Sequence, residues 1–253
     1  MSGRFSVDGP AVVTGASRGI GRAVAETFAA DGADVAVCSR DESEITAAAD
    51  EISDEFPGDA IGVECDVRER ESVGAFVEAA VEAFGGLDVL VNNAGASFVS
   101  SFEDISANGW QSVVDVNLTG TVNCSQAASD HLDGGSVVNV ASVAGTDGAP
   151  YMSHYAASKA AVVNLTRTLA YEWAGRDVRV NCVAPGYVAT PGLESQMGIS
   201  ADEVDRESVD RNVGVSEEIA DAVRFLASDA ASFVTGQTLS PRGVPPIEET
   251  PEL

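Results

Sequence analysis

Short apolar runs, rich in β-branched residues, alternate with alanine-rich helical stretches along almost the whole 253-residue chain. The strand-like runs are apolar throughout, as expected when helices cover both faces of a parallel sheet. This order predicts a doubly wound parallel α/β sheet with right-handed crossovers. No linker or longer repeat divides the chain, so we expect a single domain over residues 1–253.

Glycine and proline pairs mark where the predicted elements end. The predicted strands cover residues 11–13, 35–38, 60–65, 89–91, 137–140 and 178–183, with a short last strand near 237–239. The predicted helices cover residues 19–30, 45–56, 73–84, 110–131, 155–174 and 220–227. Residues 241–253 hold four prolines and three glutamates and are predicted to form an extended tail.

The composition is strongly acidic, with 40 aspartates and glutamates against 14 lysines and arginines, and a formal net charge of −26. Nucleic acid and anionic membranes bind to basic faces, so both are poor candidate partners. The acids are spread along the chain without a block of five or six, which favours a general acidic coat over an acidic interaction tail. Such a coat with almost no lysine resembles the proteins of extreme halophiles, where salt screens self-repulsion. We expect a salt-adapted, cytoplasmic protein.

Neither membrane nor metal signals stand out. No apolar run approaches the 18 residues of a membrane span, and no charged-then-apolar leader precedes the first strand. The four cysteines and two histidines form no CxxC pair and no metal-ligand spacing, so we expect no metal. Three cysteines fall in strand-like apolar runs, which predicts buried, reduced thiols.

A glycine-rich loop joins the first predicted strand to the first predicted helix, in the segment Thr14-Gly15-Ala16-Ser17-Arg18-Gly19-Ile20-Gly21. Glycines permit positive φ and let backbone N–H groups approach a pyrophosphate at the positive end of a helix. A tight turn without a ligand is the alternative, but the strand–loop–helix context favours dinucleotide binding. The predicted cofactor-binding residues of this loop are Gly15, Ser17, Arg18, Gly19, Ile20 and Gly21.

The end of the second strand carries Ser39-Arg40, with Asp41 one position later. Dehydrogenases that prefer NAD usually place an acid here, where it binds the ribose hydroxyls of adenosine. An arginine beside a small hydroxyl suits a 2′-phosphate instead, and Arg18 could flank that phosphate from the other side. Two solvated surface arginines are the alternative. In a chain so poor in bases, the pair predicts NADP(H) in preference to NAD(H).

Lys159 is the only lysine in the chain, and it follows Tyr155 by four residues, which places both on one helix face. A free tyrosine side chain has a pKa of about 10. A nearby ammonium favours the phenolate, so we expect the pKa of Tyr155 to be lowered toward neutrality. Arginine cannot easily replace this compact charge, so the surviving lysine indicates a chemical site.

These motifs together resemble the single-domain, Rossmann-like short-chain dehydrogenase/reductase family, most closely its 3-oxoacyl-thioester reductases and its sugar or secondary-alcohol dehydrogenases. The resemblance covers residues 10–239. Residues 14–21 match the family's TGxxxGxG loop, and Asn92-Asn93-Ala94-Gly95 matches its NNAG segment. Asn139-Val140-Ala141-Ser142 precedes the tyrosine by the family's spacing, and Pro185-Gly186 follows the sixth strand.

The resemblance implies a catalytic tetrad of Asn117, Ser142, Tyr155 and Lys159. Tyr155 would give or take the hydroxyl proton while a hydride passes to or from the nicotinamide. Ser142 would hold the substrate oxygen, and Lys159 would activate the phenol and bind the ribose. Asn117 would support a water chain from Lys159 to solvent, or else be a buried structural amide.

The resemblance also implies contacts along the cofactor. Asp66 would accept from the adenine amine, unless it only caps a helix, and Thr190 could be a mere turn hydroxyl. His154 should point away from the Tyr155 face and is expected to be structural. The implied cofactor-binding residues are Asp66 and Val67, then Asn93, Ala94 and Gly95 on the adenosine side, Pro185, Gly186, Val188 and Thr190 around the nicotinamide, and Tyr155 and Lys159 from the tetrad.

The chain departs from the family near its C-terminus, where Ser240-Pro241-Arg242-Gly243 replaces a valine-aspartate-glycine-glycine run. That region usually joins a subunit interface in the family. The expected assembly is a homo-oligomer, either a tetramer or a dimer. The resemblance assigns residues 187–215 to a mobile substrate lid, whose sequence does not identify the substrate.

We therefore expect an oxidoreductase that transfers a hydride between NADP(H) and a small-molecule carbonyl or secondary alcohol, which could be a 3-oxoacyl thioester. One alternative is an NAD-dependent sugar dehydrogenase, which Ser39-Arg40 argues against. Another is an NADP(H)-sensing protein without turnover. Such a sensor is expected to lack the tyrosine or the lysine of the tetrad, and this chain has both.

Overall fold

The computed structural model describes residues 3–244 and contains a sheet of seven parallel strands. Two further strands form a separate pair, so the described residues contain nine strands. In chain order, they are β1 (Ala11–Thr14), β2 (Val35–Ser39), β3 (Ala60–Glu64), β4 (Val89–Asn92), β5 (Ser136–Val140), β6 (Arg179–Val183), β7 (Tyr187–Ala189), β8 (Val213–Val215) and β9 (Thr238–Leu239). Strands β7 and β8 pair with each other outside the main sheet. The predicted doubly wound α/β fold is confirmed.

Helices follow most of the strands. They are α1 (Gly19–Asp31), α2 (Glu42–Glu55), α3 (Arg70–Phe84), α4 (Ala107–Val114), α5 (Gly120–Ala128), α6 (Ala144–Asp147), α7 (Ser153–Trp173), α8 (Pro191–Met197) and α9 (Ser216–Ala227). Gly32 ends α1 in the left-handed conformation with φ 101°, which a side chain would disfavour. Within residues 3–244, no helix combines the length and apolarity needed to cross a lipid bilayer.

The two faces of the sheet carry separate apolar cores, because the strands are apolar on both faces. Val13 packs in a buried cluster with Phe28 of α1 and Ile45 of α2. Its neighbour Val12 points to the opposite face and packs in a second cluster with Phe76 of α3. Burying one such phenylalanine side chain contributes roughly 1.5–3 kcal/mol. The helices are therefore held on both sides of a rigid sheet.

The strand order in the sheet is β3-β2-β1-β4-β5-β6-β9. The chain adds strands on one side of β1 as far as β3 and then crosses over to β4 on its other side. Open parallel sheets bind ligands outside the carboxyl ends of their strands at such a switch point. The register pairs Val13 of β1 with Val37 of β2 and with Val91 of β4. The glycine loop, the Ser39-Arg40 pair and the NNAG segment therefore meet at one edge of the sheet.

Three features differ from the sequence prediction or extend it. The helix expected over residues 110–131 consists of α4, a π-helical segment Asp115–Thr119, α5 and a 3₁₀ turn. The lid expected at 187–215 contains β7, α8 and β8, and the pairing of its two strands was not predicted. Of the predicted tail, residues 241–244 follow β9 as irregular backbone, and residues 245–253 lie outside the described residues.

Candidate active site

The glycine loop adopts a conformation that suits a phosphate group. Gly15 and Gly19 have φ values of +64° and +60°, which glycine adopts without strain. A Cβ on Gly15 would lie 2.8 Å from the Cα of Ala94, so only glycine fits against the neighbouring segment. Arg18, the N-cap of α1, makes no side-chain hydrogen bond to the first N–H groups of the helix. The positive end of α1 therefore remains available to an anion.

Thr14 and Asn93 hold this loop in place. Asn93 Nδ2 donates to the backbone carbonyls of Thr14 and Gly15, each at 2.9 Å. Thr14 Oγ1 accepts from the N–H groups of Asn93 at 3.1 Å and Ala94 at 3.0 Å. Gly21 also packs closely against this amide, because a Cβ there would lie 2.4 Å from Asn93 Nδ2. The amide of Asn93 thus positions the loop, and Thr14 is a support that the sequence did not single out.

Two unpaired cations lie at the glycine-loop end of the site, which we call the adenosine end because the sequence predicts that adenosine binds there. Arg18 and Arg40 line the cleft and form no ion pair with any described residue. The carboxylate of Asp41 is turned to α2, where Oδ1 accepts from the N–H of Glu44 at 3.0 Å and from the hydroxyl of Ser43 at 2.6 Å. The Ser43 bond lowers the pKa of Asp41. The acid nearest to this strand end therefore serves as a helix cap.

Asp66, which follows β3, is engaged by Arg68. Its Oδ1 accepts from Arg68 Nε at 2.9 Å, and its Oδ2 accepts from Arg68 Nη2 at 2.5 Å. The side-chain hydrogen bond from Arg68 lowers the pKa of Asp66. Asp66 is thus a deprotonated acceptor at the cleft wall, and an adenine amine would share this carboxylate with Arg68.

Tyr155 and Lys159 occupy one face of α7, as their spacing predicts. The Nζ of Lys159 lies 5.7 Å from the centroid of the Tyr155 ring. The same Nζ donates to the backbone carbonyl of Val140, the last residue of β5, at 2.8 Å. Only 4% of Lys159 is exposed, so this bond replaces solvent for the ammonium.

Burial governs the proton affinities of both side chains. It raises the pKa of Tyr155, and the neighbouring Ser142 hydroxyl only partly offsets this rise. It also lowers the pKa of Lys159 to about 8. The direction for Tyr155 is the reverse of the one expected from the sequence, because desolvation of the phenolate is the dominant cause of its shift.

Ser142 lies at the carboxyl end of the sheet, two residues after β5. Its Oγ accepts from the N–H of Ala144 at 3.2 Å, which orients the hydroxyl at the start of α6. The backbone around it is anchored to β6, because Ala141 N–H donates to the carbonyl of Val183 at 2.7 Å. Ser142 and Tyr155 line the same cleft, and the Ser142 hydroxyl is close enough to the Tyr155 phenol to hydrogen-bond it.

Asn117 lies in the π-helical segment and is fully buried. Its Nδ2 donates to the carbonyl of Ala96 at 2.9 Å and to the hydroxyl of Ser158 at 3.0 Å. Its Oδ1 accepts from the N–H of Ala96 at 2.8 Å. Single π turns inside helices frequently occur at functional sites. This side chain is fully engaged within the protein, and the water chain expected beside it stays a prediction.

Ser158 connects two members of the expected tetrad, although the sequence did not single it out. Its Oγ accepts from Asn117 and donates to the backbone carbonyl of Tyr155 at 2.7 Å. The spacing of three residues from Tyr155 places both on adjacent turns of α7 and is the signal that could have indicated it. Gly95 lies between Asn117 and Lys159, because a Cβ on it would lie 3.2 Å from Asn117 Oδ1 and 3.6 Å from Lys159 Nζ.

The segment after β6 forms the opposite wall of the cleft. The N–H of Gly186 donates to the carbonyl of Pro241 at 2.9 Å, and a Cβ on Gly186 would lie 2.7 Å from the Cβ of Arg242. Thr190 caps α8, since its Oγ1 accepts from the N–H of Leu193 at 3.2 Å. The hydroxyl of Thr190 thus caps a helix while its own proton is free to be donated, and its cofactor contact stays a prediction. Its methyl group lies 3.5 Å from the position that a Cβ on Gly19 would take.

These walls enclose one continuous cleft of about 1130 Å³. The predicted site residues line it with two exceptions, Gly21 and Asn117, which support it from behind. One end offers the glycine loop and two unpaired arginines, and the other offers the half-buried Tyr155 and the buried Lys159. The arrangement fits an elongated ligand with phosphates at the first end and a reacting group at the second.

His154 lies outside this cleft, as expected. It is fully buried against the ring of Phe98, with ring centroids 4.1 Å apart, and near Trp110 at 6.5 Å. Neither ring nitrogen has a hydrogen-bond partner among the described residues. Burial lowers the pKa of His154, so the neutral ring is favoured.

The cysteines are free and buried, in agreement with the sequence. Cys38 and Cys65 line the floor of the adenosine end, and Cys124 packs behind them. Burial raises the pKa of Cys38 well above its usual value. In the part of the chain that the structure describes, no three His, Cys, Asp or Glu side chains cluster as metal ligands.

Comparison with known proteins places this geometry among oxidoreductases. The sequence profile described as enoyl-(acyl carrier protein) reductase matches residues 15–241. The 3β-hydroxysteroid dehydrogenase 1 of Eggerthella lenta is 41% identical over 237 residues, covering 90% of this chain and 90% of that protein. The 3-oxoacyl-(acyl-carrier-protein) reductase of Synechocystis sp. is 39% identical over 240 residues, covering 92% and 95% of the two chains.

Solved structures resemble the whole fold. A short-chain type dehydrogenase/reductase from Mycobacterium marinum superposes with a TM-score of 0.86 at 35% identity, covering 94% of this chain and 96% of that one. A dehydrogenase/reductase from Sinorhizobium meliloti superposes with a TM-score of 0.83 at 33% identity, covering 95% and 96%. The similarity therefore extends over nearly the full length of each chain.

Proposed function

This chain belongs to the short-chain dehydrogenase/reductase family, and on that basis we propose that it transfers a hydride between NADP(H) and a small-molecule carbonyl or secondary alcohol. The observation that carries the proposal is the pair of Tyr155 and Lys159 on one face of α7, next to Ser142 in a single cleft. Relatives named as a 3-oxoacyl-(acyl-carrier-protein) reductase and a 3β-hydroxysteroid dehydrogenase support a substrate that carries a carbonyl or hydroxyl group.

The preference for NADP(H) over NAD(H) rests on charge. Arg18 and Arg40 form no ion pair with a described residue, whereas Asp41 is occupied as the cap of α2. A 2′-phosphate bound between the two guanidinium groups gains charge-assisted hydrogen bonds, each contributing about 1.5–3 kcal/mol. NAD(H) lacks that phosphate and leaves both cations solvated. The glycine loop holds the pyrophosphate of either cofactor.

The side chains of the cleft supply the proton chemistry. The bound cofactor supplies or takes up the hydride. Tyr155 donates its phenolic proton to the substrate oxygen during reduction and accepts it during oxidation. Ser142 donates a hydrogen bond to the same oxygen and stabilises its developing negative charge. Since burial raises the pKa of Tyr155, the phenol is protonated at neutral pH, which is the form that reduction requires.

Lys159 and Asn117 act behind these two hydroxyls. Lys159, with a pKa of about 8, exchanges protons near neutral pH, and it would also hydrogen-bond a cofactor ribose. Asn117 fixes residue 96 and Ser158 around that lysine.

Residues 187–215 close the substrate end as a lid. The protein works in a salt-rich cytoplasm as a homo-oligomer, in line with its net charge of −26 and with its family.

The decisive experiment is a steady-state screen in molar potassium chloride. Ketones, 3-oxoacyl thioesters and sugars are each tested with NADPH, NADH and their oxidised forms. We expect ketone reduction with a higher kcat/KM for NADPH than for NADH. Sugar oxidation with a clear NAD advantage would establish the sugar dehydrogenase alternative. Tight NADPH binding without turnover of any compound would establish a sensor.

A further inference from the structure

Tyr151 has a backbone conformation that its side chain disfavours. Its φ is +63°, and among residues 3–244 the only other non-glycine residue with positive φ is Asp177, at +56°. A short polar side chain tolerates the left-handed region, whereas a bulky aromatic residue is an outlier there. Such strain persists only where the surrounding structure holds it, and it concentrates at functional sites.

Hydrogen bonds on both sides hold Tyr151 in this conformation. Its carbonyl accepts from the N–H of Ser100 at 2.9 Å, and the next residue, Met152, donates to the carbonyl of Ala149 at 3.1 Å. Tyr151 lies four residues before the expected catalytic Tyr155 and lines the same cleft. Its side chain is 65% exposed, so the ring is not held there by burial in a core. The strained backbone therefore presents an aromatic ring at the mouth of the cleft.

Many of the other side chains at this end of the cleft are apolar as well. Tyr187, at the start of β7, is 60% exposed and lines the cleft from the opposite wall. Among described residues, the basic side chains that line the cleft are Arg18 and Arg40 at the adenosine end and the buried Lys159. The apolar lining of the substrate end consists of Val99, Val143, Ala149, Pro150, Tyr151, Met152, Tyr187 and Leu193. A basic side chain that borders this lining is Arg242, which packs against Gly186 and is ion-paired with Asp147. Among the described residues that line this end, an anionic substrate would therefore meet no unpaired cation.

We propose that Tyr151 is a specificity-determining residue that, with Tyr187, binds an uncharged apolar ring ketone or secondary alcohol. The inference rests on the proposed function, because it names the substrate class of that site. Aromatic side chains offer large, flat apolar contact areas and lose little conformational entropy. Polyanionic thioesters are disfavoured, since the chain carries a net charge of −26 and the described cation beside this end, Arg242, is already paired with Asp147.

Binding of a probe without turnover tests this inference. Protein saturated with NADP⁺, or with NAD⁺ in a separate series, is titrated calorimetrically in molar potassium chloride with 2-decalone and with acetoacetyl coenzyme A. The variants are Tyr151→Phe, Tyr151→Ala and Tyr151→Gly. Tyr171→Ala is the matched control, because Tyr171 is an exposed tyrosine of α7 that does not line the cleft.

We expect the wild type to bind 2-decalone more tightly than the thioester. Tyr151→Ala and Tyr151→Gly weaken decalone binding by about tenfold or more, while Tyr151→Phe keeps most of the affinity and Tyr171→Ala all of it. Glycine relieves the strained φ, so Tyr151→Gly melts about 2–4 °C above Tyr151→Ala although both lose the ligand. A melting-temperature gain without loss of affinity would show that only the backbone matters and would overturn the proposal.

Other outcomes of the same measurements would also decide whether the inference and the proposed function stand. Undetectable decalone binding to the wild type, or tighter binding of the thioester, overturns the inference. Ketone turnover that is independent of Tyr151 leaves the proposed function intact and removes this inference. Tyr151-dependent decalone binding with no turnover of any ketone supports the inference and removes the proposed function.

Discussion

Lys159 donates a 2.8 Å hydrogen bond from Nζ to the backbone carbonyl of Val140. The bond ties α7, which carries Tyr155, to the end of β5, from which Ser142 follows two residues later. The lysine thus makes a structural contact while its ammonium lies 5.7 Å from the centroid of the Tyr155 ring. Lys159 is the only lysine in the sequence, which is consistent with a geometry that needs a compact ammonium.

Replacing Lys159 with arginine is expected to impair turnover although the charge is kept. A planar guanidinium is larger and cannot occupy the buried position against Val140 without displacing its neighbours. We expect kcat to fall by about 10²-fold or more, as for loss of proton-transfer geometry. The control is Arg167→Lys, an exposed position on the same helix. Near-normal kcat in Lys159→Arg would remove the special role of the lysine.

The proposed preference for NADP(H) predicts a specific effect of replacing Arg40. Arg40→Ala removes one charge-assisted contact to the 2′-phosphate, so KM for NADPH is expected to rise about tenfold or more, with little change for NADH. Arg167→Ala controls for the loss of one surface charge. Equal effects of Arg40→Ala on both cofactors would place Arg40 away from the phosphate.

The sequence predicted the sheet well because its strands are buried on both faces and read as apolar runs. It missed the π-helical segment Asp115–Thr119, since an apolar helix pattern does not reveal one extra residue in a turn. It also missed the pairing of β7 with β8, which depends on how a long connection folds back over the cleft. Both features border the site, where local patterns are weakest.

The predicted site residues other than Gly21 and Asn117 line one cleft, but the protonation states of its side chains could not be predicted from the sequence. The direction of the Tyr155 pKa shift depends on burial, which is a property of the folded chain. The engagement of Asp41 with α2 and of Asp66 with Arg68 likewise requires side-chain directions. The strained φ of Tyr151 leaves no trace in residue order, because a tyrosine there gives no turn signal.

His154 is expected to make the protein sensitive to acid. Burial lowers the pKa of His154, so below about pH 6.5 the unfolded chain takes up a proton that the folded chain resists. Stability is therefore lost as the pH falls through this range, and His154→Phe should lack that component. Urea unfolding at about pH 7.5 and about pH 5 in high salt measures it. His131→Gln, at an exposed histidine, is the control. If the free energy of unfolding has the same pH dependence in His154→Phe as in the wild type, the prediction is contradicted.

High salt is expected to stabilise the fold. The chain carries 40 acids, and the described residues form seven ion pairs, so most carboxylates repel one another without a partner. Screening by molar potassium chloride should raise the unfolding temperature above its value in dilute buffer. A non-electrolyte of equal osmolality separates screening from general solute effects. Equal unfolding temperatures in dilute and concentrated salt would contradict a salt-adapted surface.

The most direct test of the central claim is kcat for ketone reduction by Tyr155→Phe, measured at saturating cofactor in high salt. Removing one hydroxyl deletes the proton donor while the ring and the fold are retained. We predict a loss of about 10²–10⁴-fold in kcat, with cofactor binding preserved. Turnover at the wild-type rate would contradict the assignment of Tyr155 as the acid and base of this site.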